Sequence, residues 1–305
     1  DSPLQTGARA PANLMLVLDD SGSMTDHTMP ETLPVSLNTD IVNRTYTLNT
    51  IYYNPNITYL PWRKSVAGTI IRLPETPITA VYPDDVALTG SCNLLTNTGC
   101  VNINEVRDNN ILSFHVPLNS NINILDGGQY YRYLLNSNGT AERRTWNGAN
   151  WNTVDATYSA TSNLSWTTLK NGLPVTVTRT VTEEFQNFAN WYSFHRTRNK
   201  VAKAGASEAF ADLGDNIRVG FNTIWNRDTY PIPVNGNDEG RFIGNNRDTW
   251  YIKLQDAIGS GFTPLRTSLS RTGKYYQDIN NLGKDGPYGP LIKTEDAPNG
   301  KLLTC

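Results

Sequence analysis

The sequence predicts an α/β fold, a mostly parallel sheet with flanking helices, interrupted after its first strand by a large β-rich insertion. Three observations carry this expectation. An apolar run, Leu14-Met15-Leu16-Val17-Leu18, stops at Asp19-Asp20-Ser21-Gly22-Ser23-Met24. Residues 25–181 then break into short alternating stretches separated by Pro, Gly and Asn. From Thr182 the pattern turns helical, and a second strand-like run and a glycine-rich loop follow.

The first run is long-chained, branched and unbroken, which predicts a strand buried on both faces, as in a parallel sheet covered by helices. Its polar end falls at the carboxyl edge of a strand, where open α/β sheets place their ligands. Asp19, Ser21 and Ser23 alternate, and a tight turn at Gly22 can aim their three oxygen groups at one point. One carboxylate and two hydroxyls form a hard, oxygen-only set that suits Mg²⁺, Mn²⁺ or Ca²⁺ rather than zinc. The same residues also fit a plain polar turn. A third reading is a metal-dependent hydrolase or phosphatase with Asp19 as nucleophile. That chemistry calls for a second acid two residues on, where this chain has Ser21.

In the insertion, Thr45–Tyr53, Ile70–Leu73, Ile78–Tyr82, Ile111–Val116, Tyr130–Leu135 and Leu173–Val181 read as strands. Asn138-Gly139 and Asn147-Gly148 are hairpin signals between aromatic and β-branched residues. Trp146, Trp151 and Trp166, with Tyr130, Tyr131 and Tyr133, supply either a β core or an aromatic binding face. Cys92 and Cys100 bracket a short polar loop that a disulfide can close, although two free thiols fit the spacing as well. Cys305 is the odd cysteine.

Thr182 is a candidate N-cap for one long helix to Leu213, with Glu183 and Glu184 in its first turn and Gly214 at its end. Phe185, Phe188, Tyr192, His195, Ala202, Ala206 and Ala209 share one face of it. Ile217–Ile224 reads as a second strand and Trp250–Ile258 as a short helix. In Gly259-Ser260-Gly261-Phe262-Thr263-Pro264-Leu265-Arg266, Thr263 can cap and Pro264 can open a further helix, whose inner face is expected to be Leu265, Leu269 and Tyr276. Residues 283–300 read as loop. The tip Asn235–Gly240 carries Asp238 and Glu239 but lacks the ligand spacing of an EF-hand. His27 and His195 are read as solvated and core residues, respectively.

Composition narrows the function classes. Of the 305 residues, 38% are hydrophobic and 18% charged, ample material for a core. A formal net charge of −2 gives no support to a nucleic-acid or anionic-membrane surface. No apolar run approaches a membrane span. Nucleophile elbow, P-loop and dinucleotide fingerprints are all missing from the sequence. The richness in Asn, Thr and Tyr suits an extracellular surface protein.

Taken in order, a strand ending in Asp19-x-Ser21-Gly22-Ser23, a long helix, a strand and a threonine-bearing glycine loop resemble a von Willebrand factor A domain with its metal-ion-dependent adhesion site. Thr263 matches the threonine of that family's second metal loop. Tyr52-Tyr53-Asn54-Pro55-Asn56-Ile57-Thr58-Tyr59-Leu60-Pro61-Trp62 and Asn187-Phe188-Ala189-Asn190-Trp191-Tyr192-Ser193-Phe194-His195-Arg196 resemble segments of the PilY/PilC-type adhesins of type IV pili. So do Val201–Ala204, Ile217–Gly220 and Thr263–Arg266.

The resemblance implies a discontinuous, Rossmann-like A domain in residues 1–24 and 182–305, with residues 25–181 as the insertion lobe. It implies a non-enzymatic adhesin and pilus-assembly factor, secreted to the bacterial surface at the pilus tip or outer membrane. Asp19, Ser21, Ser23 and Thr263 would hold a divalent cation, Mg²⁺ foremost. Its partners would be minor pilins or the tip complex, and a host-cell or abiotic surface ligand presenting a carboxylate. The oxidising compartment favours a Cys92–Cys100 disulfide. The family's third metal element, an aspartate on a later strand, is expected beyond Cys305, along with the C-terminal part of the A domain and a partner for Cys305.

Overall fold

The computed structural model describes residues 11–31, 39–84, 87–104, 112–118, 126–171, 173–234, 238–277, 291–294 and 297–302. Cys305 and residues 235–237 of the expected loop tip lie outside them. Within them the protein is mixed α/β, with several small sheets and five helices. In chain order the elements are β1 (Ala12–Leu18), α1 (Thr39–Arg44), β2 (Arg63–Val66), β3 (Thr69–Arg72), β4 (Ser113–Pro117), β5 (Tyr130–Leu135) and β6 (Ala141–Thr145). Next come β7 (Thr153–Tyr158), β8 (Asn163–Lys170), β9 (Leu173–Thr180), α2 (Val181–His195), α3 (Arg198–Ala211) and β10 (Ile217–Thr223). The chain continues with α4 (Gly244–Asp256), α5 (Leu265–Gln277), β11 (Leu291–Thr294) and β12 (Ala297–Leu302).

The chain divides into two compact units. The first comprises Asp1–Met24, Trp62–Leu73 and Gly205–Cys305, and the second Thr25–Pro61 and Pro74–Ala204. The chain thus leaves the first unit after Met24, revisits it for the β2–β3 hairpin and returns within α3. Helix α2 groups with the β-rich second unit.

In the first unit, β1 and β10 run parallel and in register from Ala12↔Ile217 to Leu18↔Thr223. Their core is aromatic: Trp250 of α4 is fully buried among Phe221, Phe242 and Phe210, and stacks on Phe210 at 4.2 Å. Its indole N–H donates to the Gly220 carbonyl (3.2 Å). A Cβ at Gly220 would come within 2.7 Å of Met15 and 2.8 Å of Ile232, so a larger residue at this strand position would have to displace both side chains. The β2–β3 hairpin is tied to α4 by Asp248, whose Oδ1 accepts from Ser65 Oγ (2.5 Å) and the Gly68 N–H (2.9 Å).

Three expectations are corrected in this unit. Strand β1 is not buried on both faces: Leu18 is buried but Leu14 is 41% exposed, and among the described residues β10 is its only strand neighbour. Residues 283–300 are expected as loop, but Leu291–Thr294 and Ala297–Leu302 pair as the antiparallel strands β11 and β12. Helix α5 turns its Leu265 and Leu269 outward, at 61% and 70% exposure, while Ser268 and Arg271 are buried. Polar anchoring decides this: Arg271 donates to the carbonyls of Thr223 and Ile224, and the Tyr275 hydroxyl accepts from the Ile232 N–H.

The second unit holds a four-stranded antiparallel sheet, β4-β5-β6-β7, and a separate β8–β9 hairpin. Asn138-Gly139 and Asn147-Gly148 do link β5 to β6 and β6 to β7. Tyr53, Phe114, Tyr133, Leu164, Trp166, Phe188 and Trp191 form one buried cluster with α2. Tyr130 and Trp151 are buried as well, so most of the aromatic set is core rather than a binding face. Thr45–Tyr53 and Ile78–Tyr82 are not strands. The first is turns after α1, and Val81 makes a lone bridge to Val101. Cys92 and Cys100 are joined by a disulfide.

The expected single long helix is two. Thr180, not Thr182, caps α2: its hydroxyl accepts from the Glu183 N–H while the Glu183 carboxylate accepts from the Thr180 N–H, a reciprocal capping box. The chain breaks at Arg196–Thr197, where the Thr197 hydroxyl accepts from the Lys200 N–H (3.2 Å) and starts α3. A hydroxyl that satisfies one of the orphan N–H groups of a new first turn makes this break stable.

Candidate functional site

The polar end of β1 folds as a compact loop in the first unit. Asp19 Oδ1 accepts from the Ser21 N–H (2.9 Å), and the hydroxyls of Ser21 and Ser23 lie 3.3 Å apart. Residues Gly22–Thr25 form a single 3₁₀ turn, which places the two serines on one side. Ser21 is buried, Asp19 half-buried and Ser23 exposed. The two serine hydroxyls thus meet each other, while Asp19 is tied to the Ser21 backbone.

Asp20 does different work. It is buried, and its carboxylate accepts from the N–H groups of Trp225 (2.7 Å) and Asn226 (2.9 Å) just after β10. It thereby locks the ends of the two parallel strands to each other. The glycine-rich loop closes on the same point: the Gly22 N–H donates to the Gly261 carbonyl (3.1 Å), and the Ser260 N–H donates to the Asp20 carbonyl (2.8 Å). Thr263 is exposed, two residues beyond Gly261. The first turn bond of α5 runs from the Ser268 N–H to the Pro264 carbonyl, so the cap position belongs to Pro264, and Thr263 lies one residue outside the helix. Its loop, rather than its hydroxyl, is what the backbone contacts bring to the serines.

The donor set fits a hard divalent cation. Two oxygens in adjacent positions on an ion with bonds of about 2.0–2.6 Å lie roughly 2.9–3.6 Å apart, and the serine hydroxyls fall in that range. Asp19 has one oxygen held by the backbone, which leaves the other for an ion or its water. Among the described residues no cluster of three or more His, Cys, Asp or Glu side chains could hold a metal. A site here rests on hydroxyls and one carboxylate, which excludes a zinc-type centre.

Sequence reasoning missed a second polar centre, in the second unit. Glu184 is fully buried and accepts from Tyr53 Oη (2.5 Å) and Arg179 Nε (2.6 Å), while Arg179 also donates to the Pro55 carbonyl. Burial raises the carboxyl pKa, with Arg179 and the Tyr53 hydroxyl pulling the other way, and burial raises the Tyr53 phenol as well. Asn187 donates to Tyr53 Oη and the Ile57 carbonyl and accepts from the Tyr59 N–H. Asn190 donates to the Tyr59 carbonyl, Trp191 to the Ile51 carbonyl, and a His195 ring nitrogen lies 3.0 Å from the Leu60 carbonyl. An open cleft of about 360 Å³ beside this network is lined by Thr58, Tyr59, Glu75, Arg179, Gln186 and Asn190 among others.

The remaining histidines are accounted for within this unit. His27 lies 3.9 Å from Asp84, and burial and Arg196 lower its pKa. His115 is fully buried 3.5 Å from Asp40. Its pKa is pushed down to about 3 by burial first and by Arg132 and Arg44 next. Asp238 serves a turn, accepting from the Gly240 N–H and from the Asn246 amide.

The chain is similar to the type IV pilus biogenesis factor PilY1 of Pseudomonas aeruginosa. It is 27% identical over 297 residues to the protein of strain PAO1, covering 94% of this chain and 22% of that protein. The proteins of strains UCBPP-PA14 and PAK are each 26% identical, over 96% and 94% of this chain. The chain spans 22% of the length of each of these relatives. No protein-family model and no solved structure matches. The similarity supports a PilY1-type, pilus-associated protein, and no helix among the described residues is long and apolar enough to cross a membrane. Within the two segments on which the resemblance to pilus adhesins rests, Asn187, Asn190 and His195 are hydrogen-bonded to Tyr53, Ile57, Tyr59 and Leu60, which gives these residue types a common structural reason.

Proposed function

We propose that this chain belongs to a non-enzymatic surface-attachment and assembly factor of type IV pili, acting outside the cell at the pilus tip or outer membrane. The observation that carries this reading is similarity to PilY1 over almost the whole chain. In it the first unit is a von Willebrand A-type fold, and Asp19, Ser21, Ser23 and Thr263 bind a divalent cation, Mg²⁺ before Mn²⁺ or Ca²⁺. With a single carboxylate nearby the cation keeps most of its charge, and it takes an acidic side chain of a partner as a further ligand. Minor pilins and surface ligands presenting a carboxylate are the partners this chemistry selects. Use of Asp19 as a hydrolase or phosphatase nucleophile is not adopted, since Ser21 occupies the position of the second acid.

The test has two arms. In cells that produce the protein, deletion of its gene should abolish surface pili. Asp19→Asn should leave pili in place, reduce attachment and remove Mg²⁺ binding measured by calorimetry. Normal piliation after deletion sinks the pilus reading. Unchanged Mg²⁺ affinity in Asp19→Asn sinks the metal site alone.

A further inference from the structure

The open cleft of about 360 Å³ beside α2 lies wholly in the second unit and has the size of a small-ligand site. Hydrogen bonds within its lining consume donors and leave acceptors. Gln186 Nε2 donates to the Thr76 carbonyl (2.9 Å) and to Asn190 Oδ1 (3.1 Å). Asn190 Nδ2 donates to the Tyr59 carbonyl (3.1 Å) and to Glu75 Oε1 (3.0 Å). Asn187 Nδ2 donates to Tyr53 Oη (2.7 Å) and to the Ile57 carbonyl (2.9 Å). In each case one partner is a backbone carbonyl, which can only accept, so the amide cannot be turned round. Both hydrogens of each amide are therefore spent. The nitrogens of Arg179 are engaged too: Nε donates to Glu184 (2.6 Å), Nη1 to the Thr58 hydroxyl (3.3 Å) and Nη2 to the Pro55 carbonyl.

What the lining still offers is oxygen. Gln186 keeps its amide oxygen, since its nitrogen faces Thr76 and Asn190. Glu75 and Glu183 are exposed on the rim. Glu75 uses Oε1 for Asn190, and Glu183 uses Oε2 for the N–H and hydroxyl of Thr180, which leaves each carboxylate its second oxygen. Neither forms an ion pair among the described residues, whereas the Arg179 charge is already answered by Glu184. The cleft thus carries uncompensated negative charge above a buried, fixed floor of Asn187 and Asn190. Tyr59, the aromatic residue of its lining, is buried, so the cleft offers no exposed ring on which a sugar could stack.

We propose that this cleft is a receptor for a guanidinium group, carried by an arginine of a partner protein. A lining of acceptors repels a carboxylate or a phosphate and selects a cation rich in N–H donors. The acceptors come from Thr58 and Glu75 on one side and from Glu183 and Gln186 of α2 on the other. A planar fork with five donors can meet several of them at once, where an ammonium is a point charge. The opening admits a side chain still joined to its own chain. The buried Glu184 network beneath keeps its partners, and the proposal does not depend on the cation-binding reading of the first unit.

The probes are end-blocked peptides, Gly-Gly-Ser-Arg-Ser-Gly-Gly and its lysine and glutamine counterparts, and methylguanidine, each titrated onto the full chain by saturation-transfer NMR. The arginine peptide should bind roughly five- to tenfold tighter than the glutamine peptide, with the lysine peptide between them. Glu75→Gln and Glu183→Gln keep an oxygen for Asn190 and Thr180 and remove only charge. Each should weaken the arginine peptide about threefold, and together they should erase its advantage, with thermal melting unchanged. If Glu183→Gln lowers the melting temperature, Glu75→Gln alone decides. Added NaCl should weaken the arginine peptide as it screens the pairing. Equal binding of the arginine and glutamine peptides, or full binding in both variants, overturns the site. So does a response from methyl α-glucoside with none from the arginine peptide. A lysine peptide equal to the arginine one overturns the guanidinium assignment, and methylguanidine equal to it overturns the partner-protein source.

Discussion

The two compact units use polar residues in opposite ways. In the second, long polar side chains are buried and answer one another: Glu184 is held by Tyr53 and Arg179, and Asn187 spends its amide on three partners. In the first, the polar residues at the strand end are short and run from buried Asp20 and Ser21 to exposed Ser23. Asp19 accepts from the Ser21 N–H and the two serine hydroxyls meet each other, while Asp20 holds the Trp225 and Asn226 N–H groups of another segment. A buried polar group without a partner costs far more than a paired one contributes, so the second unit's network has little freedom to change partners. An exposed hydroxyl such as that of Ser23 can exchange water for a ligand at little cost. The first arrangement suits binding, the second suits architecture.

The largest effect that would break this contrast is expected at Arg179. Replacing it with Met leaves Glu184 buried without its cation and should destabilise the fold by about 3–5 kcal/mol at neutral pH. Since burial raises the folded-state pKa of Glu184, the protonated form is favoured on folding, and the deficit should shrink as pH falls and Glu184 takes up a proton. Urea titrations at several pH values check this, and a pH-independent deficit would show that Glu184 is not the group left unpaired.

His115 provides a second pH test of the second unit. Its folded pKa, about 3, lies below its usual value of 6.5. The stability tied to the neutral ring is therefore complete above about pH 6.5 and lost as pH falls toward 3, on the order of a few kcal/mol. His115→Gln should flatten the acid limb of the stability curve. Asp40, Arg44 and Arg132 face the ring and would remain.

Opening the Cys92–Cys100 loop by replacing both cysteines with Ser should cost about 2–3 kcal/mol, mainly through a less restricted unfolded chain. Thermal melts with and without reductant give the same comparison in the unaltered protein.

The smallest expected effects on stability, and the sharpest on binding, lie in the first unit. Asp20→Ala removes the acceptor of two N–H groups and should cost about 1–3 kcal/mol. Its neighbour Asp19→Asn keeps an oxygen for the Ser21 N–H and should stay within about 0.5 kcal/mol of the unaltered protein while losing the Mg²⁺ binding proposed above. If Asp19→Asn destabilises as much as Asp20→Ala, the two adjacent acids share a structural role, and the contrast between the units disappears.

The sequence alone determined the local chemistry. A strand ending in Asp19-x-Ser21-Gly22-Ser23 announced a polar turn after β1, because an apolar run and the glycine that follows it act over a few residues. The hairpins at Asn138-Gly139 and Asn147-Gly148 and the strand at Ile217 were legible for the same reason. The closeness of Cys92 and Cys100 needed only a short loop.

What only the tertiary structure decided involves partners distant in the chain. Thr180 and Thr182 are both fair caps, and the reciprocal bond with Glu183 chose between them. Leu265 and Leu269 have the spacing of an inner face, yet Arg271 found the carbonyls at the end of β10 and turned α5 the other way. Asp20 and Asp19 are identical neighbours, told apart by the Trp225 and Asn226 N–H groups some two hundred residues on. Periodicity says which side chains share a face. Which face is buried depends on what the rest of the chain offers it, and that is settled by contacts no local pattern contains.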